Sequence, residues 1–154
     1  MSSVAVSAHA APLTATYAVL TNAGAQAAVK AAEQMAAELK APSAIAVVDQ
    51  SGNLLAFERL DGVRVGSIDL AIGKARSAAL LQRPTIEMED NINKGRTAFV
   101  TAGFMALRGG VPIRVNGQVV GAIGVAGLNK DNDVTIATAA AQKVEAEAEG
   151  TASH

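Results

Sequence analysis

The dipeptide Asn116-Gly117 restricts this chain more than any other feature. It lies between two runs of strand character, Val111 to Val115 (VPIRV) and Gln118 to Val125 (QVVGAIGV). Asn and Gly both accept the positive φ that a two-residue hairpin turn demands of its central positions. Strands joined this tightly must be antiparallel, because parallel neighbours need a crossover of about a dozen residues. The second run is also thin. Gly121 shares a face with Val119, Ile123 and Val125, and Gly124 shares the other with Val120, Ala122 and Ala126. That second face is nearly bare backbone, which admits a closely packed helix or forms a shallow floor for a flat ligand. Taken alone, the pattern favours packing.

The remaining elements follow from periodicity and punctuation. Asn22 to Lys40 is rich in helix formers, with Ala28, Ala32, Met35 and Leu39 on one stripe, and Pro42 ends it. Two strands, SAIAVVD and LLAFERL, flank the turn residues Asp49 to Asn53 and predict a second hairpin. Ser67 is placed to cap a second helix through Gln82, with Ile68, Ala71, Ile72, Ala75 and Ala79 as its apolar face, and Arg83-Pro84 stops it. A short third helix is expected from Thr85 to Lys94, ended by Gly95. In RTAFVTAGFMALRGG, Phe99, Thr101 and Gly103 alternate against Val100 and Ala102, which reads as a strand followed by a loop. Asp131 or Asp133 is expected to cap a last helix reaching about Glu149. The expectation is an α/β (α+β) domain, an antiparallel sheet of about five strands with helices on its faces.

At 154 residues the chain fits one domain. We expect flexible tails at 1–12 and 150–154 around a single domain at 13–149. Ser7-Ala-His-Ala10 resembles the small-residue end of a secretory cleavage site, but no basic and strongly apolar region precedes it. A cytoplasmic location is therefore preferred to an exported one. The net charge is -1 with interspersed signs, and aromatic residues make up 3 %, so neither a basic face nor a stacking platform points to nucleic acid. No apolar run approaches a membrane span. The absence of cysteine excludes disulfides, thiolate catalysis and the common zinc sites. There is no G-x-G-x-x-G leading from a strand into a helix and no P-loop lysine.

Few residues carry chemistry. His9 and His154 fall in the expected tails, where ordering a site is costly. Asp131-Asn-Asp133 lacks the remaining ligands of a calcium loop, so capping explains it better, and no metal site is expected. FERLDGVRVGSIDLAIGKARSA gathers Arg59, Asp61, Arg64, Asp69, Lys74 and Arg76 around a strand-to-helix joint. Arg59 shares a strand face with Leu55 and Phe57, so it needs a partner: a carboxylate such as Asp61 or Asp69 in a structural ion pair, or an anionic ligand. Arg96 follows the chain-bending Gly95 and is placed to present its guanidinium. Glu87, Glu89 and Asp90 nearby could move a proton, although a solvated helix face is the default.

The segments AIAVVDQSGNLLAFERLDGVRVGSIDLAIGKARSA, RPT, NKGRTA and GGVPIRVNGQVVGAIGVAG, in that order, resemble the GlcG/HbpS family of glycolate-operon and haem-binding proteins. That family is related to the C-terminal domain of PduO-type proteins, and the resemblance spans about Leu13 to Val144. It implies a profilin-like fold and homo-oligomers built from dimers, with pockets near subunit contacts. It also implies several activities: binding or degrading haem, association with cobalamin, or cofactor-free lyase chemistry on hydroxylamino-aromatic acids such as 4-hydroxylaminobenzoate. With no histidine in the body of the domain, haem would be ligated by Met88, Met105, Tyr17 or a hydroxyl.

Three functions follow as expectations. The first is a haem or tetrapyrrole binder, with Arg59, Asp61, Met88, Gly109, Gly110, Val111 and Pro112 as ligand-binding candidates. In that reading Gly109-Gly110 makes a tight approach to the hairpin beside a pocket. The second is a lyase or isomerase without metal or nucleotide. There Arg59 or Arg96 would clamp a carboxylate, and Asp69, Glu87 or Lys74 would move the proton. The third is an oligomeric accessory subunit without catalysis.

Overall fold

The computed structural model describes residues 9–151; most of the expected N-terminal tail, residues 152–154 of the C-terminal one, and His154 lie outside the described residues. The elements are α1 (Asn22–Glu38), β1 (Ala44–Asp49), β2 (Leu54–Arg59), α2 (Ser67–Leu81), α3 (Thr85–Asn93), a 3-10 turn (Thr97–Ala102), β3 (Gly110–Val115), β4 (Gln118–Ala126) and α4 (Lys130–Thr151). The strands form one antiparallel sheet in the order β2-β1-β4-β3. Both expected hairpins are present, and Asn116 (φ 50°) and Gly117 (φ 77°) make the tight turn between β3 and β4.

The sheet has four strands, not five. The stretch Thr97–Ala102 winds into a 3-10 turn, held by the Phe99 N–H on the Arg96 carbonyl and the Thr101 hydroxyl on the Ala98 carbonyl. Local hydrogen bonding prevailed over the strand that its alternation of small and apolar residues suggested. Two helix caps also differ from expectation. Ser67 is the first residue inside α2, because the N–H groups of Ser67 and Ile68 already donate to the carbonyls of Arg64 and Val65. The side-chain carbonyl of Asn129 caps α4, accepting from the N–H groups of Asp131 and Asn132 at 2.9 and 3.1 Å. Both aspartates are thereby released for other partners. Thr21 caps α1 by accepting from the Gly24 N–H at 3.1 Å.

The two sheet faces are built differently. Ile45, Val47, Ile113, Ile123 and Val125 bury against α1 and α4 in the main core, each contributing about 1.5–3 kcal/mol. Ala44, Ala46, Ala122 and Ala126 face α2, which answers with Ala71, Ala75, Ala78 and Ala79. Gly124 is the point of closest approach: a methyl group there would strike the Ala71 carbonyl oxygen and the Ala75 amide. The thin face seen in the sequence is therefore a helix seat. On the outer border of the sheet, Pro112 lies in edge strand β3, and the Arg114 N–H donates to Glu145 of α4 at 2.8 Å.

Gly124→Val should therefore lower stability by about 1–3 kcal/mol or more through overpacking. Gly150→Ala, where a new methyl meets nothing within 4 Å, should not destabilise the protein. Urea midpoints of the two variants against the parent check the contrast.

Candidate functional site

Three polar arrangements surround α2 and α3, and they divide the candidate residues among them. The first is interior. Lys74 projects from α2 beside the seat of Gly124, and its side chain is 4 % exposed. Its ammonium donates to the Val125 carbonyl at 2.8 Å and to Asp133 Oδ2 at 2.9 Å. The other Asp133 oxygen accepts from the Gly127 N–H at 2.8 Å. Around this pair the chain has no room for side chains: a methyl on Gly109 would press on the Val125 carbonyl, Asp133 and the Lys74 ammonium, and one on Gly110 on the Lys74 carbonyl. Thr85, fully buried, accepts the Gly110 N–H at 2.8 Å. Gly109 and Gly110 therefore join α2, α3, β3 and the start of α4 in one knot. Burial pushes the Asp133 carboxyl above its ordinary value, opposed by the charge and hydrogen bond of Lys74, the Gly127 N–H and the charge of Arg64.

The second arrangement centres on Arg108, which the sequence reading did not single out. Its guanidinium bonds Glu89 and reaches Asp131 at 3.2 Å and Asp90 at 3.4 Å, and its backbone N–H also donates to Glu89 at 3.1 Å. The Glu89 hydrogen bond, with its charge, holds the Arg108 guanidinium more firmly protonated. A lone charge between the apolar run TAFVTAGFMAL and a Gly-Gly pair was the available signal.

The third arrangement is a hollow of about 220 Å³ between the end of α2, α3 and the 3-10 turn. It is lined by Arg83, Glu87, Met88, Asn91, Arg96 and Phe99, together with Leu81. Met88 is buried and forms part of an apolar floor, while the Arg96 guanidinium lies 5.8 Å from the centre of the Phe99 ring. Arg83 pairs loosely with Glu87 at 3.9 Å, and Arg96 has no carboxylate partner among the described residues. Two cations against one carboxylate leave the hollow a net positive charge. It can therefore receive an anionic group over an apolar surface.

The structure brings Arg96, Glu87 and Met88 together in this hollow, and Lys74, Gly109 and Gly110 together in the knot. It separates the rest. Arg59, Asp61 and Asp69 are exposed, with no side-chain hydrogen bond or ion pair among the described residues, so the expected partnership of Arg59 with either carboxylate is absent. As the terminal residue of an edge strand, Arg59 extends into solvent and needs none. Asp69 lies in the first turn of α2, where the helix dipole favours a carboxylate. Val111 packs on the main core, and Pro112 is buried in β3. A larger hollow of about 420 Å³, between residues 18–24, the β3–β4 hairpin and α4, is lined by apolar groups with Glu147 as its single charge. Among the described residues, no three His, Cys, Asp or Glu side chains are grouped to hold a metal ion, and no helix is long and apolar enough to cross a membrane.

Comparison with known proteins places this architecture. Residues 20–142 match the family described as haem degrading protein HbpS-like. Protein GlcG of Escherichia coli (strain K12) is 42 % identical over 108 residues, covering 70 % of this chain and 81 % of that protein. The crystal structure of Klebsiella pneumoniae protein ORFY superposes with a TM-score of 0.82 at 29 % identity, over 90 % of this chain and 99 % of the other. That of HbpS superposes with a TM-score of 0.77 at 32 % identity, over 88 % and 96 %. The fold and the sequence thus define an antiparallel α+β domain with helices on both faces of its sheet. The chain belongs to the GlcG/HbpS family.

Lys74→Met leaves Asp133 buried without its cation and should cost about 3–5 kcal/mol in a urea melt. The double variant Lys74→Met/Asp133→Leu should recover much of that loss. The pH dependence has a definite sign. The native state holds the Asp133 proton more tightly than the unfolded chain, so this group's contribution declines as pH rises from the ordinary value of 3.8 toward its raised native value. The stability of the parent relative to Asp133→Asn should fall across that window when melts are run at successive pH values.

Proposed function

We propose that this protein binds haem or a related tetrapyrrole, with the carboxylate edge of the ligand at the Arg83–Arg96 hollow. The single observation that carries the reading is the match of residues 20–142 to the haem degrading HbpS-like family. The hollow supports it chemically. Two guanidinium groups suit paired propionates, and Leu81, Met88 and Phe99 suit the edge of an apolar macrocycle. At about 220 Å³ it falls below the roughly 300–1,000 Å³ of a typical ligand pocket, so it takes an edge and not the whole ring.

The iron is less well served. His9, the one described histidine, lies in the exposed N-terminal segment, and the chain has no cysteine. The residues present fit the periphery of haem and offer its iron neither imidazole nor thiolate, so no catalytic step is assigned to the metal. Apolar contact and the arginines carry binding in this reading, on a profilin-like domain of the kind the resemblance implies.

A second reading is favoured by the size of the hollow. A compact monocarboxylate with a flat apolar body would fill it, with Arg96 on the carboxylate and Glu87 placed to move a proton in a lyase or isomerase reaction. Asp69 and the buried Lys74 lie outside the hollow and have no part in this version.

Titration of the protein with hemin should shift and sharpen the Soret band, and Arg96→Ala should weaken binding by about tenfold, the equivalent of one lost interaction of about 1.4 kcal/mol. A spectrum that stays that of free hemin ends the tetrapyrrole reading. Calorimetry with benzoate-type acids then decides the second.

A further inference from the structure

The hollow of about 420 Å³ at the start of α1 has no part in the function proposed above. Its size lies within the roughly 300–1,000 Å³ of a typical ligand pocket. Leu20, Val120 and Val144, all buried in the main core, form its floor. Ala23 and Ala27 of α1 and Ala148 of α4 line it at positions where leucine would fill the space and add buried apolar area. The short side chains keep it open.

The charge at its rim has one sign. Glu147 is the single ionisable side chain of the lining, and the last turn of α4, which contributes Thr151, holds no basic residue. The negative end of that helix adds to the carboxylate. Lys143 approaches Glu147 at 3.4 Å, but both side chains are more than half exposed, and such a pair is weak. At the opposite rim Thr21 already accepts the Gly24 N–H. An apolar body with a cationic head complements this hollow, and an anionic head does not.

A strap of exposed chain, residues 9–19, leads into it. Where the strap reaches the sheet, the Ala18 N–H donates to the Gln118 side-chain carbonyl at 3.4 Å and the Leu20 N–H to the Val120 carbonyl at 2.9 Å. Leu-Thr-Ala-Thr-Tyr-Ala-Val alternates from Leu13 to Val19. In extended chain this puts Ala15 and Tyr17 on one face with Val19, which lines the hollow. Tyr17 is 71 % exposed, and Leu13, at a bend, is wholly so. Apolar side chains on a segment that continues the wall of the hollow are its nearest available cover.

We propose that this hollow is a second binding site, that its ligand is a primary amine with an apolar body, and that the strap closes over the bound molecule with Tyr17 as the cover. The ammonium group keeps its charge at neutral pH, as a lysine does, and lies against Glu147. The apolar body rests on Leu20, Val120 and Val144. The site is distinct from the Arg83–Arg96 hollow, whose two guanidinium groups select the opposite charge.

The test is titration of the full chain with n-octylamine, by calorimetry and by tyrosine fluorescence anisotropy. Tyr17 is the one tyrosine and the chain has no tryptophan, so the emission reports the strap alone. Octylamine is expected to bind saturably and to raise the anisotropy without changing the sedimenting mass, and octanoate to bind at least tenfold more weakly. Glu147→Gln should remove the preference for octylamine over octanol. Ala148→Leu should weaken octylamine binding at least tenfold without lowering the melting temperature, and Ala27→Leu repeats the filling from the other wall. No saturable binding to the parent, or binding that survives both leucine variants, overturns the site. Equal affinity for octylamine and octanoate overturns the amine as its ligand. Binding with the anisotropy unchanged overturns the closing strap, and so does a rise in mass on binding, which would assign the apolar face of the strap to a neighbouring copy.

Discussion

The fold rests on how near α2 comes to the sheet. Alanine on the helix, alanine and glycine on β1 and β4, and the absent side chain at Gly124 let the helix backbone almost touch the strands. Dispersion contacts fall off steeply with distance, so a seat this shallow is selective: few other side chains fit it. The close approach also carries Lys74 down to the Val125 carbonyl and to Asp133. The buried ion pair depends on the thin face. The opposite face, filled by Ile and Val under α1 and α4, supplies bulk burial and tolerates more variation in detail.

The knot at Lys74 gives α2, β4 and the start of α4 a common register, and Gly109, Gly110 and Thr85 extend it to β3 and α3. A buried salt bridge is weak support for net stability, but it is demanding about geometry, since each charge must meet its partner or lie stranded in a poor solvent. Here it pins the middle of α2 to β4 and α4, while Thr85 at the start of α3 is tied to the same knot through the Gly110 amide. The position of the Arg83–Arg96 hollow on the surface is set from inside.

Much of this was legible in the residues. Asn116-Gly117 announced the hairpin, and the order of elements followed from Pro, Gly and apolar period. The 3-10 turn misled because TAFVTAG alternates on the scale of a strand while its outcome depends on whether an edge is free to pair, which no local pattern records. Ser67 misled as a cap because turns upstream had already supplied its acceptors. Arg96, Glu87 and Met88 were legible as candidates through chemistry and neighbourhood, and α3 gathers them. Arg108 and the pairing of Asp133 with Lys74 were not, since the carboxylates around Arg108 lie 18, 19 and 23 residues away and Lys74 lies 59 from Asp133. The spacing of Asp131 and Asp133 suggested capping, and the longer reach of the fold reassigned both.

One border of the sheet has a consequence for how the protein tolerates crowding. Along β3, Pro112 lacks a donor and the Arg114 amide is already claimed by Glu145, so an incoming chain finds no ladder to extend. Growth by templated strand addition, the route to fibrils, is left to the β2 side, where the charges of Glu58 and Arg59 stand guard. In a chain rich in small apolar residues, the β3 border is closed to edge-to-edge pairing by its own sequence.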